Sequence, residues 1–96
     1  MPAYLILDIR VKDPDEYAAY REAAQGTLEP YGGRYLVRGG EIEVVEGDWS
    51  PERLVVVEFP SVQHAHDWYQ SPEYQKALPH RLRAAPSNTV LVEGVS

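Results

Sequence analysis

Two glycine pairs, Gly32-Gly33 and Gly39-Gly40, stand at either end of the short run Arg34-Tyr35-Leu36-Val37-Arg38. Glycine tolerates backbone angles that other residues avoid, so the pairs mark where the chain turns into a strand and bends out of it. A phosphate-cradling loop instead needs glycines that open a helix, so that its N–H groups converge on the anion. These glycines open and close a strand, and they constrain the fold more than they constrain a ligand.

Around that strand the chain switches between two periods. Leu5, Leu7, Ile9 and Val11 alternate with Tyr4, Ile6, Asp8 and Arg10, which predicts a strand over 4–11. Asp13 then suits a helix N-cap, Pro14 the first helical position and Glu16 the capping-box spacing. At 100° per residue, Tyr17, Tyr20, Ala24, Thr27, Leu28 and Tyr31 form one stripe, so the helix is expected to run to Pro30 and to lie on a sheet. The second strand, Arg34 to Arg38, sends Arg34, Leu36 and Arg38 to one face and Tyr35 and Val37 to the other. Ile42 to Val45 resumes extended structure, and Gly47 to Pro51 reads as a turn. Leu54 to Phe59 is apolar enough for a central strand. Ser61 caps a second helix with Val62, Ala65, Trp68 and Tyr69 on one arc, and Ser71-Pro72-Glu73 restarts it. Pro79 is expected to distort or end this last piece; if the helix continues, Arg81 returns to the face of Tyr74. Thr89 to Val95 is the final strand.

The order strand, helix, strand, strand, helix, strand predicts one ferredoxin-like α+β domain over 1–96, an antiparallel βαββαβ sheet with both helices on one face. The open face then carries Tyr4, Ile6, Leu36, Leu54 and Val56 beside Asp8, Arg10, Arg34, Arg38 and Glu58. An exposed sheet with that much aliphatic surface is best covered by a copy of itself across a two-fold axis, which predicts a homodimer. A 96-residue chain hides only about 60 to 65% of its unfolded surface, so a partner also relieves a thin core.

Several fragments in order, namely 32–40, Glu46-Gly47-Asp48-Trp49, 52–60 and Trp68-Tyr69-Gln70-Ser71-Pro72-Glu73-Tyr74, resemble the DUF1330 family over essentially the whole chain. The resemblance implies a dimeric α+β barrel, in which two sheets pack face to face, and implies no established activity. Cofactor-free monooxygenases, haem-handling enzymes and isomerases share that superfamily, and kinship of fold carries little functional weight.

Bulk composition narrows the chemistry. A formal charge of −6 opposes binding to nucleic acid or an anionic bilayer, so a homodimer partner and a small molecule remain. The chain lacks cysteine, and His64 and His66 point about 200° apart on a helix, so neither a thiolate site nor another metal site is expected. No cofactor is expected, and haem lacks an evident axial ligand. Apolar runs such as Leu54-Val55-Val56-Val57 are too short to span a membrane, and Met1 leads directly into a strand-like pattern, so a cytoplasmic location is expected.

Two groups of residues could carry chemistry. Asp8, Arg34, Arg38 and Glu58 are either a salt-bridge network that fixes dimer register or an anion site with an acid as base. Trp68, Tyr74 and Arg81 line a cleft between helices and sheet near Arg34 or Arg38, with His66 a proton shuttle if it faces that cleft. The expected ligand set is therefore Arg34, Arg38, Trp68, Tyr74 and Arg81, and the catalytic candidates are Asp8, Glu58 and His66. The function expected is binding of a small polar or anionic metabolite, with cofactor-independent catalysis open, and the alternative is a non-catalytic structural or regulatory dimer. Trp49 is expected at a subunit contact, and His80 at a pocket rim.

Overall fold

The computed structural model describes residues 1–95. In chain order the elements are β1 (Ala3–Ile9), α1 (Pro14–Ala24), β2 (Arg34–Arg38), β3 (Arg53–Phe59), α2 (Val62–Tyr69), α3 (Pro72–Ala84) and β4 (Ser87–Glu93). The strands form one antiparallel sheet in the order β2-β3-β1-β4, so the fold is ferredoxin-like α+β. Among the described residues no helix is long and apolar enough to cross a membrane.

The helix caps follow the chemistry of their residues. The Asp13 carboxylate accepts from the Glu16 N–H, and the Ser61 and Ser71 hydroxyls accept from the N–H groups of His64 and Tyr74. The first helix stops at Ala24, short of the expected Pro30, because Gly26 enters the left-handed region at φ 80°. Its apolar stripe nevertheless continues through the turn, where Thr27 and Leu28 are buried and a single 3-10 turn, Glu29–Tyr31, leads into β2. Pro79 does not end α3: the helix runs from Pro72 to Ala84, and Arg81 does return to the side of Tyr74.

Alternation along β1 and β3 buries Leu5, Leu7, Ile9, Val55, Val57 and Phe59 under the helices. Tyr17, Tyr20, Ala65, Trp68, Tyr74, Ala77 and Leu78 close the core from above. Gly33 is buried against Phe59, where a Cβ would sit 2.7 Å from the ring, so only glycine lets the chain enter β2 this closely.

The register of β2 departs from simple alternation. Arg34 and Tyr35 lie opposite Glu58 and Val57, whereas Val37 and Arg38 lie opposite Val56 and Val55, so Leu36 is the extra residue of a β-bulge. Directly opposed residues share a face, so the bulge turns Arg38 to the helix side with Tyr35 and Val55, and Val37 to the open side. The expected grouping of Arg34 with Arg38 is thus overturned by one residue. The open face acquires instead an unbroken aliphatic row, Val37, Val56, Ile6 and Val90, crossing all four strands. The segment after Gly40 pairs with no strand in that sheet, so Ile42 to Val45 does not extend it.

Candidate functional site

With Arg38 on the helix side of β2, an open cleft lies between α1 and the sheet. Leu7, Ile9, Val55 and Val57 form its sheet side, and Ala24 and Leu28 contribute apolar surface from the helix side. Tyr17, Tyr20, Tyr35 and Trp68 supply aromatic walls, and Arg21, Arg38 and Arg53 supply charge. No aspartate or glutamate lines the cleft.

Two of the three cations are held by an aromatic neighbour. The Arg38 guanidinium lies 4.4 Å from the centre of the Tyr35 ring. Arg53 donates from Nε to the Tyr17 hydroxyl at 3.1 Å and sits 5.6 Å from that ring's centre. Gly39, at φ 73°, is what lets Arg53 lie there, because a Cβ at that position would run into the guanidinium. Trp68 is buried as part of the wall, and its indole donates to the Thr27 hydroxyl at 3.0 Å, which in turn donates to the Ala24 carbonyl at 2.7 Å.

Behind the aromatic wall sits a buried cation. Arg81 is 3% exposed and donates from Nη2 to the Tyr74 hydroxyl at 3.3 Å, while its Nε has no hydrogen-bond partner. Tyr74 and Tyr20 hold their hydroxyls 2.9 Å apart, and the Arg81 guanidinium is 5.6 Å from the Tyr20 ring centre. None of the salt bridges among the described residues involves Arg81. Burial, and then the Tyr74 hydroxyl, push the Tyr20 phenol far above its ordinary range, so it stays protonated. Burial works against the charge on Arg81, but the phenol oxygens of Tyr74 and Tyr20 outweigh it and raise its pKa.

The remaining expected site residues lie elsewhere. Arg34 and Glu58 form an ion pair at 2.6 Å on the open face, joined by the Tyr4 hydroxyl, which donates to Glu58 at 3.2 Å. Asp8 shares that face but lies four residues along β1 from Tyr4, about 13 Å at strand rise, so the protomer does not bring it to this pair. Its Oδ2 accepts the Trp49 indole N–H at 2.9 Å, and its Oδ1 is buried without a partner. Trp49 itself is 58% exposed. His66 is exposed on α2 and borders a separate groove against β4 with Leu5, Tyr69 and Leu91, so it does not face the arginine-lined cleft. His80 is not at the cleft rim: its ring nitrogen lies 2.8 Å from Glu16, which also pairs with Arg83 at 2.8 Å, tying α3 to α1.

Of the expected ligand set, Arg38 and Trp68 line the cleft, Tyr74 and Arg81 back it, and Arg34 is on the opposite side of the sheet. Tyr17, Tyr20, Arg21, Tyr35 and Arg53 were missed as site residues. Two of them left a signal. Arg53 continues the period-two face of Val55, Val57 and Phe59, and Arg21 follows Tyr17 at helical spacing beside the apolar stripe.

A family model described as a domain of unknown function, DUF1330, matches residues 2–95. The crystal structure of the RPA0582 protein of unknown function from Rhodopseudomonas palustris is similar at 24% identity, over 99% of this chain and 83% of that one, with a TM-score of 0.77. A dimeric ferredoxin-like protein of unknown function from Bacteroides fragilis aligns at 14% identity over 97% of this chain and 96% of that one, TM-score 0.68. SnoaB, a cofactor-independent oxygenase from Streptomyces nogalater, aligns at 9% identity over 99% and 94%, TM-score 0.69. No curated protein matches the chain.

Proposed function

The chain belongs to the DUF1330 family, and we propose that it binds a small organic anion with an apolar or aromatic body in the cleft between α1 and the sheet, as a homodimer. The observation that carries this reading is the lining of the cleft. A chain of net charge −6 gathers three of its nine Lys and Arg residues around one apolar cavity and keeps every carboxylate out of it. Guanidinium groups beside an apolar, aromatic-walled cleft favour a carboxylate or enolate over a neutral analogue. SnoaB shares the fold alone, so an oxygenase reaction does not follow from it. If the cleft catalyses a reaction, the acid and base roles fall to its tyrosines and arginines, because Asp8 and Glu58 lie across the sheet and His66 borders another groove.

Calorimetric titration with benzoate and with benzyl alcohol tests the reading. Benzoate should bind and the alcohol should bind far more weakly, and Arg38→Gln should weaken benzoate about tenfold or more, the usual worth of a hydrogen bond to a charged group. Equal affinity for the two probes, or an Arg38→Gln variant that binds benzoate as the wild type does, would overturn it.

Dimerisation draws on the aliphatic row Val37, Val56, Ile6 and Val90, where Val37 is 40% and Val90 58% exposed, and on the dimeric state described for the Bacteroides fragilis relative. Lysine in place of Val56, at the centre of that row, should convert the dimer to a folded monomer in sedimentation velocity. A wild type that sediments as a monomer at micromolar concentration would refute the assembly. A purely assembling role, without a ligand, is the second reading. It is favoured by the Arg34–Glu58–Tyr4 network on the same face, and it gains if the cleft binds neither probe.

A further inference from the structure

We propose that the Tyr20 hydroxyl is an oxyanion donor in the cleft, polarised through Tyr74 by the buried Arg81, so that the bound molecule carries a carbonyl, phenol or enolate oxygen at that point. The proposal rests on the cleft reading above and adds to it a second recognition point that none of the rim arginines supplies.

The argument is one of donor direction. Arginine can only donate, so its Nη2 contact at 3.3 Å makes the Tyr74 oxygen an acceptor. The Tyr20 and Tyr74 hydroxyls, 2.9 Å apart, share one hydrogen bond and therefore use one of their two protons. If Tyr20 donated to Tyr74, the spare proton would belong to Tyr74, which is 0% exposed and has no other hydroxyl contact than Arg81 and Tyr20. A buried donor without an acceptor is costly. The other arrangement runs Arg81 to Tyr74 to Tyr20 and leaves the spare proton on Tyr20, which lines the cleft.

Such a chain is polarised at its inner end by a full charge that lacks a carboxylate partner among the described residues. Hydrogen bonds in series strengthen one another, so the terminal O–H is a better donor than an isolated phenol. It would be most useful where negative charge gathers on an oxygen, and being fixed by the core it needs no rearrangement to act. Tyr20 would touch the ligand; Tyr74 and Arg81 are positioning residues that act through it.

The test uses para-nitrophenol, whose ionised and neutral forms differ in colour, with para-nitrotoluene as the same shape lacking the oxygen. Bound to the wild type, the phenol should ionise at lower pH than when free. In Tyr20→Phe the ionisation should move back up by about one pH unit, a tenfold loss of preference for the anion, with para-nitrotoluene affinity unchanged. Arg81→Met should shift it in the same direction, and Arg81→Lys, which keeps the charge, should restore part of the effect. Identical ionisation in the wild type and Tyr20→Phe would overturn the donor role and leave the cleft reading standing. If neither probe binds the wild type, the cleft reading falls and the donor role with it.

Discussion

Replacing Tyr74 with alanine should cost about 3–5 kcal/mol of folding stability, the usual range for deleting a fully buried aromatic side chain. A domain of this size has only about 5–14 kcal/mol in total, so the variant should sit close to unfolding. Three features put Tyr74 at the upper end. It is 0% exposed and stands among the largest fully buried side chains. Its ring is the hub of an aromatic cluster, with its centre 3.9 Å from Trp68, 5.5 Å from Tyr69 and 6.2 Å from Tyr20. Its hydroxyl is also the acceptor that Arg81 reaches, so alanine leaves both a cavity and a stranded cation. The control is Tyr74→Phe, which keeps the ring and removes only the oxygen, and should cost about 1–3 kcal/mol. Urea titration followed by tryptophan fluorescence suits the comparison, since Trp68 packs directly on the lost ring. Protomer concentration must be held constant if the chain dimerises. A Tyr74→Ala variant that loses less than the phenylalanine control would mean that the ring is not the cluster's keystone.

The same residue shows how far sequence alone reaches. The fold was legible because each element repeats its signal many times: Leu5, Leu7 and Ile9 on β1, Val55, Val57 and Phe59 on β3, and the tyrosine stripe on α1 all agree with the burial observed. Capping was legible because Asp13, Ser61 and Ser71 each act locally. The site was less so, for two physical reasons. Its composition depends on Leu36, an unpaired residue whose insertion leaves no mark in the pattern, since Tyr35 and Val37 alternate with Arg34 and Arg38 either way. With the bulge unseen, Arg38 falls beside Arg34 and Glu58, and the charges read as one inter-sheet network. The absence of acids from the cleft is likewise a property of three dimensions, because Glu16, Glu22 and Glu58 are close in sequence to its lining residues and all lie outside it. Arg81 was legible only conditionally, through a helix that had to survive Pro79.

Arg81 provides the second large effect, and its sign is opposite. A guanidinium that is 3% exposed, with one hydrogen bond at 3.3 Å, leaves its Nε without a partner, and a buried donor in that state is costly even where the phenol oxygens favour the charged form. Methionine has nearly the same reach, is flexible enough to fill the space against Tyr20 and Tyr74, and brings no charge. Arg81→Met should therefore stabilise the domain by about 1–4 kcal/mol, the range seen when buried ionic groups give way to apolar ones. Each kcal/mol should raise the melting temperature by about 4–8 °C in a domain of this length. The gain should survive in the Tyr74→Phe background and be larger there, because that background removes the hydroxyl to which Arg81 Nη2 donates. Stability and ligand preference would then move in opposite directions at one position, since the same substitution removes the charge that polarises Tyr20. Thermal denaturation of the four proteins of this cycle, alongside the para-nitrophenol titration, separates the cases. A less stable Arg81→Met would mean that the bonds to the two tyrosines outweigh desolvation, and Arg81 would then be a structural residue of the core.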